Sequence, residues 1–296
     1  MRRAISAIAA AIFLTVAVAS SADAAAKNGP ILFTDYNSIY RMKPDGTGIK
    51  RVLKKSAWGM DVASDGKRLA FAHDGLFLTT VNGGKVKNLL SRYSTVANFA
   101  GVDWVSWAPN GKSLAFSGEN DGRIYTIKSN GKGLKYLLGK NRTGLSHPVY
   151  SPNGREIAFL DAWNDSSLMA VNVKTGKERT IYHGGGTAGT PTDFDWHPSG
   201  SRLAFYAPYR NWMIDSDGSD LREVSPGSAF VSYENLVFSP DGARLLGRSV
   251  APGGTTSELW MMDGTYGAGP GGYADPITEG FAGSAFEPEW APAPRR

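Results

Sequence analysis

A ten-residue segment recurs along the chain at nearly constant intervals. It reads WAPNGKSLAF at 107–116, YSPNGREIAF at 150–159, WHPSGSRLAF at 196–205 and FSPDGARLLG at 238–247. A fifth copy, VASDGKRLAF, begins at Val62, and a truncated sixth, WAPAPRR, begins at Trp290. We call the first residue of each copy the repeat position. Successive repeat positions lie 45, 43, 46, 42 and 52 residues apart, and a period of this length is typical of β-propeller blades.

Each repeat is predicted to form four short strands. The first strand ends at the repeat position, and the Pro-Asn-Gly, Pro-Ser-Gly or Pro-Asp-Gly that follows favours a tight turn, because Pro presets φ and Gly accepts positive φ. The Leu-Ala-Phe stretch alternates as a second strand. A third strand, such as Ile124–Ile127, leads into a hairpin signal, such as Asn130-Gly131. A weaker fourth strand follows, for example at Leu134–Leu138.

The two ends of the chain complement each other. Residues 31–53 supply the last three strands of a blade, and residues 286–293 supply only a first strand. Placing both in one blade closes the ring and leaves no open sheet edge. We therefore predict an all-β, six-bladed β-propeller of four-stranded antiparallel blades at residues 27–296, with the N- and C-terminal strands sharing one blade.

Residues 1–26 have the layout of a signal peptide. A basic start is followed by an apolar run from Ala4 to Ala19 and by small residues, which favours cleavage after Ala24 or Ala26. The alternative is an uncleaved membrane anchor, but the run is shorter than the roughly 20 residues that a spanning helix needs. We expect an exported protein, periplasmic or secreted, without a transmembrane segment after cleavage. The absence of Cys from the sequence excludes disulfides and thiolate metal sites.

Composition excludes several function classes. A formal net charge of +5 over 296 residues is mild, and no long basic run is present, so we expect no nucleic-acid partner. No Ser has Gly at both flanking positions of a G-x-S-x-G elbow, and the four His residues form no H-E-x-x-H pair, so no catalytic constellation is recognisable. We expect a monomer that is not an enzyme.

The predicted inner strands are more informative, because the first strand of each blade lines the channel of a propeller. The residues one, three and four before the repeat positions include seven carboxylates and no Lys or Arg. With two Trp and one His, these carboxylates form the predicted partner-binding mouth of the channel, which consists of Trp58, Asp61, Asp103, Trp104, His147, Asp193, Asp195, Glu234, Glu287 and Glu289.

An acidic mouth of this kind would concentrate cations or basic groups. Crowded carboxylates also tend to have raised pKa values or to hold a divalent ion. The sequence therefore leaves a divalent cation in the channel open, with no metal ligands and no other cofactor assigned. The alternative is structural: the side chains could point between blades and accept hydrogen bonds from neighbouring backbone.

The pattern aromatic-x-Pro-Asp/Asn-Gly-x-x-Leu/Ile-Ala-Phe, followed by Ile/Leu-Tyr/Trp and then Asp-Gly, resembles the TolB-type propeller repeat. The resemblance covers essentially all of residues 27–296. TolB carries an additional N-terminal α/β domain, which we expect to be missing here. The resemblance implies a non-enzymatic binding or scaffold propeller of the cell envelope that engages a protein or peptide partner at the channel mouth.

Two other functions stay open at this point. One is a carbohydrate-binding or carbohydrate-active propeller, of lyase or glycosidase type, in which His147 serves as acid/base or metal ligand. Asp193 and Glu287 would then form a carboxylate pair roughly 5–10 Å apart. The other is the propeller of a peptidase. We expect no catalysis within this chain in that case, because the chain has no room for a hydrolase domain.

Overall fold

The computed structural model describes residues 28–35, 37–93, 101–138, 141–208, 210–224, 233–250, 257–263, 275–278 and 281–294. The predicted signal peptide, residues 1–26, lies outside these described residues. Within them the chain forms twenty-four β-strands and no helix, arranged as six four-stranded antiparallel sheets. The prediction of an all-β, six-bladed propeller is therefore confirmed. No described segment is a helix long and apolar enough to cross a membrane.

The strands of the first half of the chain are β1 (Asn28–Thr34), β2 (Ile39–Met42), β3 (Lys50–Leu53), β4 (Gly59–Val62), β5 (Arg68–Ala72), β6 (Leu76–Thr80), β7 (Lys87–Asn88), β8 (Val102–Trp107), β9 (Ser113–Gly118), β10 (Ile124–Lys128), β11 (Lys135–Tyr136) and β12 (Leu145–Tyr150). Those of the second half are β13 (Glu156–Asp161), β14 (Ser167–Asn172), β15 (Glu178–Tyr182), β16 (Asp193–Trp196), β17 (Arg202–Ala207), β18 (Arg210–Asp215), β19 (Arg222–Glu223), β20 (Glu234–Phe238), β21 (Arg244–Val250), β22 (Ser257–Asp263), β23 (Asp275–Pro276) and β24 (Phe286–Pro292).

Blades 1 to 5 follow the chain as β4–β7, β8–β11, β12–β15, β16–β19 and β20–β23, and the closing blade has the order β24-β1-β2-β3. The inner strands β4, β8, β12, β16, β20 and β24 contact one another in a closed cycle. Six clusters of buried apolar side chains lie between the blades, one at each interface. The core is therefore divided among the faces where adjacent blades pack.

The recurring decamer forms the first hairpin of blades 1 to 5, as predicted. Its Asn, Asp or Ser side chain accepts the backbone N–H two residues later, which fixes the turn. These acceptors are Asp65, Asn110, Asn153, Ser199 and Asp241. The glycine that follows adopts positive φ in all five complete copies, from 63° at Gly111 to 73° at Gly242.

The Phe that ends the decamer fills the interface with the preceding blade. Phe71, Phe116, Phe159 and Phe205 are fully buried there. Blade 5 has Gly247 at this position, and a Cβ on Gly247 would lie 2.7 Å from Cβ of Tyr233. Tyr233 belongs to the core cluster of that interface, so its side chain takes the space that Phe occupies elsewhere.

The closing blade joins the two ends of the described chain. Ile31 pairs with Trp290 and Leu32 with Glu289, while the Trp290 indole donates to the Gly29 carbonyl at 3.2 Å. The predicted sharing of one blade by the N- and C-terminal strands is thereby confirmed.

Four inner strands, β8, β12, β20 and β24, carry a β-bulge or register shift that the repeat pattern does not predict. In β12, β20 and β24, two residues stand opposite one on the partner strand. His147, Asn235 and Glu287 sit within these bulges with φ of 52°, 51° and 45°. His147 and Glu287 each precede a Pro. An inner strand tolerates Pro because it is the edge strand of its sheet.

Candidate functional site

The inner strands arrange their polar side chains in two levels around the channel. The lower level consists of the residues one before the repeat positions, and it contains Asp61, Ser106 and Asp195 as well as Glu289. The upper level consists of the residues three before, which are Gly59, Trp104, His147, Asp193, Asn235 and Glu287. We call the end of the channel where the inner strands begin the entry end.

A cavity of about 640 Å³ occupies the channel. Its lining includes five carboxyl groups and no Lys or Arg among the described residues; the carboxyls belong to Asp61, Asp195, Asp241, Glu287 and Glu289. Of the ten residues predicted for the mouth, Asp61, Trp104, Asp195, Glu287 and Glu289 line this cavity. The other five, Trp58, Asp103, His147, Asp193 and Glu234, are not part of its lining.

The lower-level carboxyls bind the backbone of the next blade. Asp61 accepts the N–H of Trp107, Asp195 accepts that of Phe238 at 2.8 Å, and Glu289 accepts that of Val62 at 3.3 Å. Ser106 does the same for Tyr150, at 3.1 Å. These side chains therefore link adjacent inner strands, which is the structural alternative recognised from the sequence.

Burial raises the pKa of all three lower-level carboxyls. The pKa of Asp61 rises to about 7 and that of Asp195 to about 8, although backbone N–H donors oppose the shift in both. The pKa of Glu289 lies well above its ordinary value because of burial and then the nearby charges of Asp61 and Asp195.

The upper level contains a second acidic pair, Asp193 and Glu287. Asp193 is only 5% exposed, and its Oδ2 accepts the Leu236 N–H at 2.7 Å. Its Oδ1 is buried and has no hydrogen-bond partner among the described residues. Glu287 accepts the Asn235 amide at 3.1 Å. Burial raises the pKa of Asp193 to about 6 and, together with the charge of Asp193, raises that of Glu287 to about 8.

One cation lies beside this pair. Arg248 on β21 forms an ion pair with Glu234 at 3.1 Å and lies over the Phe286 ring at 5.0 Å from its centroid. Its charge opposes the raised pKa of Glu287. The positive charge of Arg248, which belongs to blade 5, thus offsets part of the negative charge of the upper level.

His147 is held in an apolar setting. Its ring lies against Trp104 with 4.5 Å between centroids, and its Nδ1 is buried without a partner among the described residues. Burial lowers the pKa of His147 to about 4. The imidazole is therefore neutral at physiological pH, and it is not positioned as a charged acid.

The entry end exposes aromatic surface. Trp58 is 40% exposed and packs edge-on against His73, while Asp103 nearby on β8 has a pKa raised by burial and by the charge of Glu119. Trp163, in the turn between β13 and β14, is 79% exposed. The sequence pattern did not single out Trp163, because this turn lies outside the repeated decamer.

Trp163 lies at the same end of the ring as Trp58. The turn that carries it contacts Gly144, which immediately precedes the inner strand β12, and Ala162 donates its N–H to the Gly144 carbonyl at 2.8 Å. The backbone N–H of Trp163 is held by Asp161, and Asp161 forms an ion pair with Arg142. A rigid turn therefore presents an exposed indole.

The described residues contain no group of three or more His, Asp or Glu side chains placed to hold a metal ion. The carboxyls are distributed over two levels, and Asp61, Asp193, Asp195 and Glu289 each accept at least one backbone N–H. This arrangement does not favour the divalent cation that the sequence left open.

No protein-family profile matches the sequence, and a comparison with curated proteins finds no match. Solved structures share the fold. TolB from Acinetobacter baumannii has a TM-score of 0.70 at 19% identity, covering 90% of this chain and 67% of that chain. A putative TolB from Agrobacterium tumefaciens has 0.65 at 15% identity, covering 84% and 88%. A chain from a nidogen/laminin complex has 0.69 at 13% identity, covering 88% and 98%. The chain therefore has the TolB-type six-bladed β-propeller fold.

Proposed function

We propose that this chain is an exported, non-enzymatic binding propeller of the cell envelope that engages a protein or peptide partner at the entry end of its channel. The observation that carries the proposal is the pair of exposed indoles, Trp58 and Trp163, on rigid backbone at that end. Exposed Trp residues on a fixed scaffold are the side chains that most often dominate the energy of protein interfaces.

The fold supports a binding role. Each blade is fixed to the next by buried clusters and by backbone hydrogen bonds, so the loops at the entry end have a rigid base. One structural neighbour is part of a complex between nidogen and laminin. A propeller of this size can thus serve as a module for binding another protein.

The carbohydrate-active alternative receives less support. An acid–base pair must reach substrate, whereas Asp193 is buried and Asp195 binds the backbone with both oxygens. His147, the other candidate, is buried against Trp104. These contacts favour a structural use of the inner-strand groups over general acid–base catalysis.

Export rests on the sequence of residues 1–26. The test is the N-terminal residue of protein recovered from cells, determined by mass spectrometry of the intact chain. Cleavage after Ala24 or Ala26 is expected, and recovery of the uncut chain in the membrane fraction would favour an anchor instead.

The partner is tested by cross-linking the chain in envelope extract and comparing three forms. Trp58→Ala combined with Trp163→Ala removes the indoles of the entry end. Tyr136→Ala is the matched control, because Tyr136 is 39% exposed on the outer strand β11. A partner that is lost with the double variant and kept with the control supports the proposal. Equal capture by all three forms would mean that the partner binds elsewhere on the protein and not at the entry end.

A further inference from the structure

The far end of the ring, opposite the entry end, is built from two sets of turns. The decamer turns form an inner set, and the turns between the third and fourth strands of each blade form an outer set. Antiparallel pairing brings both sets to the same end. Turns of adjacent blades adjoin: Gly154 lies against Pro109 in the inner set, and Gly131, in the outer set, lies against Leu89 of the preceding blade. The far end is therefore a broad face that continues from blade to blade.

Lysine is distributed unevenly around this face. Every Lys of the chain lies at or before Lys177, so none belongs to blades 4 and 5. The residue that follows the decamer glycine shows the same asymmetry. It is Lys67, Lys112 and Arg155 in blades 1 to 3 and is uncharged in blades 4 and 5. The repeat thus places positive charge at equivalent positions of consecutive blades, although the sequence contains no long basic run.

Exposed basic side chains form a group at the far end that we call the basic arc. They lie in the far-end turns of the closing blade and blades 1 to 3, or at the last strand residue before such a turn. The members are Lys43, Lys67, Lys85, Lys112, Lys128, Lys132, Arg155, Lys174 and Lys177. The far-end turns of the same blades also contain Asp45 and Asp65, and Asp65 is paired with Arg68. Positive charge therefore prevails over these four blades.

The lysines of the basic arc form no ion pair within the part of the chain that the structure describes. Every ion pair there is made by an Arg. On the opposite side of the far end, the described turns of blades 4 and 5 carry Asp217, Asp220 and Asp241. Positive charge is thus concentrated on one side of the face, and a field of one sign attracts a partner of the opposite charge.

The shape of the basic arc fits a flat anionic surface. Its side chains stand on two sets of turns across four blades, and none of them lines the channel cavity. All but one are Lys, a compact and strongly hydrated charge without the planar fork that Arg offers to a single phosphate or base. Val173, 38% exposed beside Lys174, adds an apolar side chain to the same face. A membrane that contains anionic lipid presents many charges in one plane, with an apolar layer below them.

From these features we propose that the far end binds the surface of an anionic lipid membrane through the basic arc. The closing blade and blades 1 to 3 lie against the headgroups, and blades 4 and 5 tilt away because the headgroups repel their Asp side chains. The entry end, with Trp58 and Trp163, then faces away from the membrane and stays open to a partner. This inference concerns a second surface of the protein and does not rest on the partner proposed above.

The experiment is co-sedimentation of the protein, in the form recovered from cells, with lipid vesicles. One set of vesicles contains phosphatidylglycerol and phosphatidylcholine in equal amounts, and the other contains phosphatidylcholine alone. We expect binding to the anionic vesicles only, and at least about tenfold weaker binding at about 100 mM than at about 10 mM salt, because the Debye length falls from about 30 Å to about 10 Å. Equal binding to both sets, or binding that salt does not weaken, would overturn the proposal. Failure to bind the anionic vesicles would also overturn it, and binding of a DNA duplex instead would assign the basic arc to nucleic acid.

Variants locate the surface. Lys112→Gln combined with Lys132→Gln removes two charges of the basic arc from exposed turns of blade 2. This double variant should weaken vesicle binding at least about tenfold, because each Lys near an anionic surface contributes roughly a factor of five. Lys54→Gln combined with Arg92→Gln is the matched control, since it removes the same charge from exposed residues that follow the fourth strands β3 and β7, toward the entry end. The control should change binding less than about twofold, and equal losses in both variants would overturn the proposal.

The orientation on the membrane is tested with a single fluorophore. The chain contains no Cys, so one label can be attached at a chosen position. An environment-sensitive dye on Thr175→Cys, between Lys174 and Lys177, should brighten when anionic vesicles are added, whereas the same dye on Ala162→Cys, beside Trp163, should not. The opposite result would overturn the proposed orientation. These outcomes need no partner, so they are distinguishable from the capture experiment at the entry end.

Discussion

Replacing Asp195 with asparagine should change how the stability of the ring depends on pH. The pKa of this carboxyl is about 8 in the folded chain, because of burial, and returns to its ordinary value of 3.8 on unfolding. Between these two values the folded chain binds a proton that the unfolded chain does not. The free energy of unfolding therefore falls as pH rises, by about 1.4 kcal/mol per pH unit for this one group.

The asparagine variant lacks this pH-dependent loss. It also lacks one acceptor, because Asp195 receives the N–H groups of both Trp196 and Phe238, and one missing hydrogen bond costs about 1 kcal/mol. The variant should thus be less stable below about pH 4 and equal to the native chain near about pH 5. At about pH 7 it should be more stable by about 3 kcal/mol.

The measurement is urea unfolding followed by Trp fluorescence, at constant ionic strength and at pH values from 4 to 8. Asp217→Asn is the control, because Asp217 is an exposed turn residue. Hydrogen bonds from the side chain and the backbone N–H of Ser219 lower the pKa of Asp217. Its stability curve should stay below that of the native chain without crossing it near neutral pH. A curve for Asp195→Asn that runs parallel to the native curve from pH 5 to 7 would refute the argument that this buried carboxyl is protonated.

Four further substitutions test the packing of the ring and the exposed indole of Trp163. Gly247→Ala should destabilise the chain by about 2 kcal/mol, because its Cβ would press on Tyr233, whereas Gly185→Ala, with open space around it, should stay within about 0.5 kcal/mol in chemical denaturation. Trp290→Ala removes a buried ring-closing side chain and should cost about 3–5 kcal/mol, measured in the same assay. Trp163→Ala should change the unfolding free energy by less than about 0.5 kcal/mol while reducing partner capture; a large loss of stability would mean that the indole is structural.

The architecture of the ring could be predicted from the sequence because its determinants are local and repeated. An Asn, Asp or Ser followed by Gly fixes the first hairpin of blades 1 to 5, and a strand that ends in Phe supplies the interface of blades 1 to 4 with the preceding blade. The terminal strands could be joined because one supplied what the other lacked. Even the exception at Gly247 follows a steric rule, although the sequence alone did not reveal that Tyr233 fills the vacated space.

Less of the candidate site than of the fold could be predicted from the sequence. Simple alternation predicts which side chains share a face of a strand, but the bulges at His147, Asn235 and Glu287 interrupt it. These bulges depend on non-glycine residues at positive φ, for which the sequence carries only weak signals. The sequence also placed Trp58 and Trp104 in one mouth, whereas only Trp104 lines the cavity. Trp163 was missed because a single Trp in a turn belongs to no repeat.

The closing blade also determines how the ring responds to tension. Asn28, at the start of β1, pairs with Pro292, at the end of β24, so the two points where the chain leaves this blade lie at the same end of the strand pair. A force that draws these points apart loads the hydrogen bonds one after another, as in unzipping, and does not load them together in shear. The interface that closes the circle is thus the one that yields first when the protein is pulled by its ends.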